Sequence, residues 1–258
     1  MTPFLLFSFI LGTIIGSFLN VVAYRYNTGM TLGGRSKCFS CNKTLTWIEL
    51  FPIFSFIAQR GACKTCKSRI SWQYPLVELI SGILFILVFY YFPPVSLEAS
   101  VDTLYYLIIT SLLIVITVYD IKHKIIPDLL VYTFASLALI HIYYIGITPS
   151  HLLAGPILAL PFALIWLLSK GKWMGLGDAK LILGIGWVLG LFPGLSAITL
   201  AFWIGAVVSV IWMLIVLKKF RSNYEIPFGP YLIIGMYIVL FFHIEIFSAD
   251  AFNLITTI

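Results

Sequence analysis

The chain has 258 residues, of which 61% are hydrophobic and 10% charged, with a mean hydropathy of +1.04. Soluble domains carry about 25% charged and about 45–50% apolar residues, so an ordinary globular protein, a disordered tail and a small secreted disulfide scaffold are excluded. The net charge of +6 reports membrane topology before it reports nucleic acid, and no nucleic-acid partner is expected.

Apolar runs bounded by charges or by Pro and Gly stand at about 4–24, 76–92, 103–119, 129–148, 151–169, 179–195, 197–217 and 229–247. They have the length of bilayer-crossing helices, and no residue alternation of barrel strands interrupts them. The predicted fold is an all-α polytopic membrane protein with about eight transmembrane helices. No Lys or Arg precedes the first run, and Arg25 follows it. The amino terminus is therefore expected outside and Arg25 in the cytoplasm. With that start, all 16 basic residues fall in segment 25–75 or in the loops after the third, fifth and seventh runs. The last of these holds Lys218, Lys219 and Arg221, while the opposite loops carry Glu98, Asp102, Glu245 and Asp250. Both termini are thus expected on the non-cytoplasmic side. No internal repeat is evident.

Segment 25–75 is the one large non-membrane piece. It holds Cys38-Phe39-Ser40-Cys41 and Cys63-Lys64-Thr65-Cys66, two C-x-x-C pairs at the spacing of a small zinc-ribbon-like insertion after the first helix. A reducing cytoplasm favours metal over disulfide. Four thiolates leave Zn²⁺ no open position, so the expected role is structural: the metal replaces a core that about 50 residues barely build alone.

Two acids stand at the membrane edge. Asp120 follows the third run, and Asp178 opens the sixth behind Gly175-Leu176-Gly177. Ionised Asp in a bilayer is costly, which makes such residues functional candidates. The two glycines allow close backbone approach and unusual dihedrals. By the charge distribution both acids lie on one membrane face, where two adjacent carboxylates share a proton, one serving as base for water and the other as acid for a leaving amine.

Gly16-Ser17-Phe18-Leu19-Asn20, the paired C-x-x-C motifs, Tyr74-Pro75-Leu76-Val77-Glu78, Asp120 with Ile126-Pro127-Asp128, the Gly-x-Gly-Asp stretch and Pro227-Phe228-Gly229-Pro230-Tyr231 together resemble the type IV prepilin peptidases. The resemblance implies a bacterial inner-membrane aspartic protease of the Gly-x-Gly-Asp class that cleaves the basic leader of prepilins or pseudopilins at the cytoplasmic face. Asp120 and Asp178 match its catalytic pair by position. The resemblance also implies methylation of the new amino terminus with S-adenosylmethionine, with determinants in 25–75. Gly61 matches one of them, and the following residue, usually basic in the family, is Ala62 here. The implied division is a first helix at 1–24, the four-cysteine zinc-binding segment and methyltransferase region at 25–75, and a seven-helix peptidase domain at 76–258.

Asn20 and Arg25, which close the first run, and Glu78, just inside the second, are further candidates for cofactor or substrate contact; capping and anchoring are the simpler roles. Asp128 is expected to cap the helix after Pro127. Pro227, Phe228 and Gly229 read as a turn that could line the active site, with Gly175 and Gly177. Glu49, Glu78, Asp128 and Glu225 are the acids available to a basic leader. His123, His141, His151 and His243 are scattered and suggest no metal site. Two other classes fit parts of the pattern: a membrane thiol-disulfide oxidoreductase, which needs its cysteines in an oxidising compartment, and a proton-coupled transporter, which needs acids near the midplane and inverted repeats.

Overall fold

The structure is a computed structural model and describes residues 2–146, 148–214 and 226–247. Lys218, Lys219, Arg221, Glu225 and Asp250 lie outside the described residues. The regular elements among the described residues are helices, with two isolated β-bridges in segment 25–75. The helices are α1 (Thr2–Arg25), α2 (Phe54–Ala58), α3 (Gln73–Tyr91), α4 (Leu97–His123), α5 (Asp128–Ile145), α6 (Pro149–Ser169), α7 (Leu176–Leu189), α8 (Leu191–Trp212) and α9 (Gly229–Phe242), with a 3-10 turn at Trp47–Leu50. Each of the eight predicted runs overlaps chiefly one helix, although α7 and α9 have only 14 residues each. Six of them, α1, α3, α4, α5, α6 and α8, are long and apolar enough to cross a bilayer, and α9 is a shorter apolar helix. The protein is a multi-pass membrane protein.

Two compact units divide the chain, Met1–Val118 and Tyr119–Ile258. In the first, α1 packs along α3 through small residues. A Cβ on Gly12 would meet Ser81 O at 2.6 Å, and one on Gly16 would meet Ser81 Oγ at 2.6 Å. Helices approach this closely in lipid only where side chains are absent, since dispersion contacts replace the missing hydrophobic drive. In the second unit, α7 packs against α5 and α6, and α8 against α9. The α6–α7 contact is again glycine on glycine, a Cβ at Gly186 coming 2.7 Å from Gly155 Cα.

The break between α7 and α8 falls earlier than the apolar runs suggest. Gly190 takes φ 87° and ψ −177° and ends α7 with its N–H donating to Gly186 O. That conformation is open to glycine and strained for any residue with a Cβ. Uninterrupted apolar sequence on both sides hides it.

Candidate active site and metal centre

Asp120 sits in the last turn of α4 and is 3% exposed. The helix closes with Lys124 N–H donating to Asp120 O, Lys124 being left-handed at φ 56°. Pro127 then prevents its resumption before α5. The connecting residue Ile126 is buried, and it organises the site. A Cβ on Gly177 would lie 2.8 Å from Ile126 Cβ, and one on Gly229 would lie 3.2 Å from Ile126 Cδ1 and 2.6 Å from Asp120 Oδ2. Three separated segments, 120–128, 175–178 and 227–229, therefore converge on one spot.

Asp178 occupies the first turn of α7, whose N-cap is Gly175. The Gly175 backbone N–H is directed at the Asp178 carboxylate, as in the reach-back half of a capping box. Gly229 opens α9, and its backbone N–H is directed at the Asp120 carboxylate. Each aspartate thus faces the amide end of a helix, where partial positive charge gathers. The two carboxyls lie within electrostatic reach of each other. Asp120 Oδ2 is buried and has no hydrogen-bond partner among the described residues, which is how a group awaiting water or substrate looks.

Several expectations take a different form. Gly175 is extended at φ −72° and Gly177 is helical, so neither serves an unusual dihedral; Gly177 serves close approach to Ile126, while a Cβ at Gly175 would meet only ordinary contacts, 3.6 Å from Asp178 Oδ2. Asp128 does not cap α5: Pro127 is the N-cap, without a side-chain cap bond. Its carboxylate instead accepts from Lys180 Nζ at 2.7 Å, the ammonium lying 4.7 Å from the Tyr132 ring centroid. An acid at the first position of a helix gains from the dipole without bonding its amides, which leaves it free to reach α7. Phe228 is the N-cap of α9 and packs on Phe202 with ring centroids 4.8 Å apart, while Pro227 precedes it outside any regular element. Sequence reading took Ile126 only as part of the Ile126-Pro127-Asp128 motif and gave it no role in the site; burial separates it from its neighbour Ile125, which is 65% exposed.

In the first unit, the thiols of Cys38, Cys41, Cys63 and Cys66 all lie within 4.8 Å of one another. The Cys38–Cys66 sulfur separation is 3.7 Å, close to the ~3.8 Å edge of a tetrahedron with Zn–S bonds of about 2.3 Å. The two halves repeat. Cys38 N–H donates to Lys43 O and Cys63 N–H to Ser68 O; Asn42 N–H donates to Cys38 O and Lys67 N–H to Cys63 O. Asn42 and Lys67 are both left-handed, and the bridges Lys37–Thr44 and Ala62–Arg69 close equivalent loops. This is an internal repeat of backbone geometry that the side chains conceal.

The thiol electrostatics suit a cation. Backbone N–H groups of Cys41 and Ser40 and the Ser68 hydroxyl hold the Cys38 thiol down to about 6, and Ser68 likewise lowers Cys66. The Lys43 N–H favours a Cys41 thiolate, but lost hydration and the three neighbouring thiols outweigh it and push Cys41 up to about 11. Four thiols at this spacing cannot all ionise alone; a divalent ion supplies the missing charge. The cluster could hold a metal ion.

The remaining candidates are tied into the same unit. Asn20, 1% exposed, donates from Nδ2 to Tyr74 O at 3.2 Å and Gly16 O at 3.3 Å. Arg25 Nη1 donates to Thr31 O and Gly33 O at 2.8 and 2.6 Å. Glu78 accepts the Ile53 N–H at 2.7 Å, and Ile53 is the N-cap of α2 at φ 63°. A β-branched residue resists that conformation, so the buried carboxylate pins a strained turn. Gly61 is left-handed at φ 68°, its absent Cβ 3.2 Å from the Phe56 ring.

The family model of the bacterial peptidase A24 N-terminal domain matches residues 10–92, and that of the type IV leader peptidase family matches 107–210. Proteins named prepilin leader peptidase/N-methyltransferase are similar along nearly the whole length. The one from Stutzerimonas stutzeri is 32% identical over 271 aligned positions, covering 92% of this chain and 90% of its own. The one from Bacillus subtilis is 32% identical over 235, covering 88% and 90%.

The chain belongs to the type IV leader peptidase family.

The relative from Neisseria gonorrhoeae is 28% identical, covering 89% of this chain and 87% of its own. No solved structure matches the chain. The thiol-disulfide and transporter readings have no support in these family matches.

Proposed function

We propose that this protein is a membrane aspartic endopeptidase that removes the leader of type IV prepilins or pseudopilins and methylates the amino terminus it exposes. The observation that carries the proteolytic half is the meeting of Asp120 and Asp178 around Ile126, each at the amide end of a helix. In this reading one carboxylate takes a proton from water as its oxygen adds to the scissile carbonyl carbon. The other, protonated, delivers its proton to the leaving nitrogen as the C–N bond breaks. Two adjacent carboxyls meet this need because joint ionisation is unfavourable.

A prepilin offers a basic leader followed by an apolar helix, which brings its scissile bond to the membrane surface. Segments 120–128, 175–178 and 227–229 would line the cleavage site, with Pro227 and Phe228 forming the wall behind Gly229. Of the acids considered for the leader, Glu49 is taken by Lys43, Glu78 by Ile53 N–H and Asp128 by Lys180. Asp128 remains 70% exposed and is the one of these three that a leader could reach. Membership of the family supports placement in the bacterial inner membrane, and the distribution of basic residues supports both termini outside with segment 25–75 in the cytoplasm.

We assign the four-cysteine cluster a structural Zn²⁺, held by Cys38, Cys41, Cys63 and Cys66, and divide the chain into 1–24, 25–75 and 76–258 by role. The names of the relatives support methyl transfer, for which S-adenosylmethionine supplies the methyl group. Asn20, Arg25 and Glu78 have their polar groups engaged within the chain, and Gly61 serves a left-handed turn. No step of methyl transfer is assigned to these four residues, of which Gly61 lines a cavity on the first unit.

The test incubates purified protein with a synthetic prepilin, with and without S-adenosylmethionine, and weighs the products. Cleavage in both samples, with one added methyl group only where the donor is present, is the expected result. Intact substrate in both would refute the proposal.

A further inference from the structure

A cavity of about 860 Å³ opens on the first unit between the second knuckle, α2 and the start of α3. It lies within the ~300–1,000 Å³ range of small-molecule sites, and its wall has two chemistries. Arg60, Lys67 and Arg69 line one part, together with Gly61 and Ala62. Their side chains have no hydrogen bond or ion pair among the described residues, and Glu49, the sole carboxylate of segment 25–75, is taken by Lys43. Trp72, Leu76 and Leu79 line the other, and all three are well exposed.

The apolar wall does not stop at the cavity. Leu76, Leu79, Ile80 and Ile83 are all exposed large hydrophobics at the i, i+3, i+4, i+7 positions of α3, a helix apolar and long enough to span a membrane. That stripe has the periodicity of a single helix face, and on a spanning helix an exposed apolar face meets acyl chains. Trp72, one turn before Leu76, is the residue type that settles at headgroup level. The cavity therefore presents unpaired cations at the head of a lipid-facing stripe.

We propose that this cavity binds one anionic phospholipid, its phosphate held by Arg60, Lys67 and Arg69 and an acyl chain lying along Leu76 and Leu79. Charge separates this occupant from the other molecules the protein handles. A basic leader and the sulfonium of S-adenosylmethionine are both cationic at the part that reacts or is recognised, and three unpaired cations repel them. An anion without a tail would leave the apolar half uncovered.

The test titrates the purified full-length protein, in neutral detergent, with a fluorescent phosphatidylglycerol. The comparison ligands are phosphatidylcholine with the same tails, glycerol 3-phosphate and S-adenosylmethionine. Saturable binding of phosphatidylglycerol that none of the three displaces is expected. Arg60→Gln/Lys67→Gln/Arg69→Gln should weaken it roughly 100-fold, each cation near an anionic headgroup being worth about fivefold. Arg35→Gln/Lys170→Gln/Lys172→Gln removes equal charge from residues that do not line the cavity and should change it less than about threefold, as expected for screened charges outside the site. Single variants at 60, 67 and 69, each about fivefold weaker, carry the same information should the triple variant fail to fold. Equal losses in the pocket and control variants, or displacement by any of the three comparison ligands, would overturn the proposal.

Discussion

Gly229→Ala is the substitution whose effect the structure sizes most directly. The new Cβ would stand 2.6 Å from Asp120 Oδ2 and 3.2 Å from Ile126 Cδ1, against 3.4 Å for the near edge of ordinary contact. The carboxylate must therefore retreat by about 0.8 Å, the difference between 3.4 and 2.6. Overpacking a buried site by one methyl costs about 1–3 kcal/mol, which a polytopic protein tolerates. Misplacing a reacting group by about 1 Å costs on the order of 100-fold in rate. The expected phenotype is thus a protein that inserts and purifies normally, with kcat for prepilin cleavage down about 100-fold and KM little changed. The assay is steady-state cleavage of a synthetic prepilin by purified enzyme. Gly33→Ala is the control, since nothing lies within 4 Å of its Cβ. A Gly229→Ala enzyme with more than half the native kcat would refute the proposed position of the Asp120 carboxylate in catalysis.

Three other outcomes follow from the same geometry. The protein should carry one tightly bound metal per chain by elemental analysis, and Cys38→Ser should lose it and render segment 25–75 sensitive to limited proteolysis. Glu49 is held down to about 2 by the Thr46 N–H and by Lys43, below its ordinary value near 4.3. The stability it adds is therefore complete above about pH 4.3 and lost as the pH falls towards about 2. The difference in proteolytic resistance between wild type and Glu49→Gln should shrink over that window, and an unchanged difference would contradict it. Asp128→Asn breaks an exposed ion pair worth about 0–1 kcal/mol and should leave kcat intact; if the leader touches Asp128, KM rises instead.

The helices were legible because lipid imposes uninterrupted apolar runs, and each predicted run marked a helix, though not always its end. What escaped was set by contacts rather than by composition. Nothing in an apolar run marks Gly190 as the turn between α7 and α8, since its φ of 87° is a backbone property. The knuckle repeat escaped because Asn42 and Lys67 share a conformation and not a chemistry. Asp120 and Asp178 were recognisable as acids out of place in lipid, whereas Ile126, which holds their segments together, looks like any interfacial apolar residue. Asp128 was misread as a cap because Pro127 before it mimics that pattern, and its partner Lys180 lies 52 positions away.

The most direct measurement compares Asp120→Asn, Asp178→Asn and the double variant in the purified cleavage assay. Groups that act as one unit are non-additive, so each single variant should lose cleavage by about 1,000-fold or more, within the range for paired acid–base catalysis, and the double variant should be no worse. Losses that multiply in the double variant, or a single variant that keeps a large share of native activity, would mean that these carboxyls do not work as a pair.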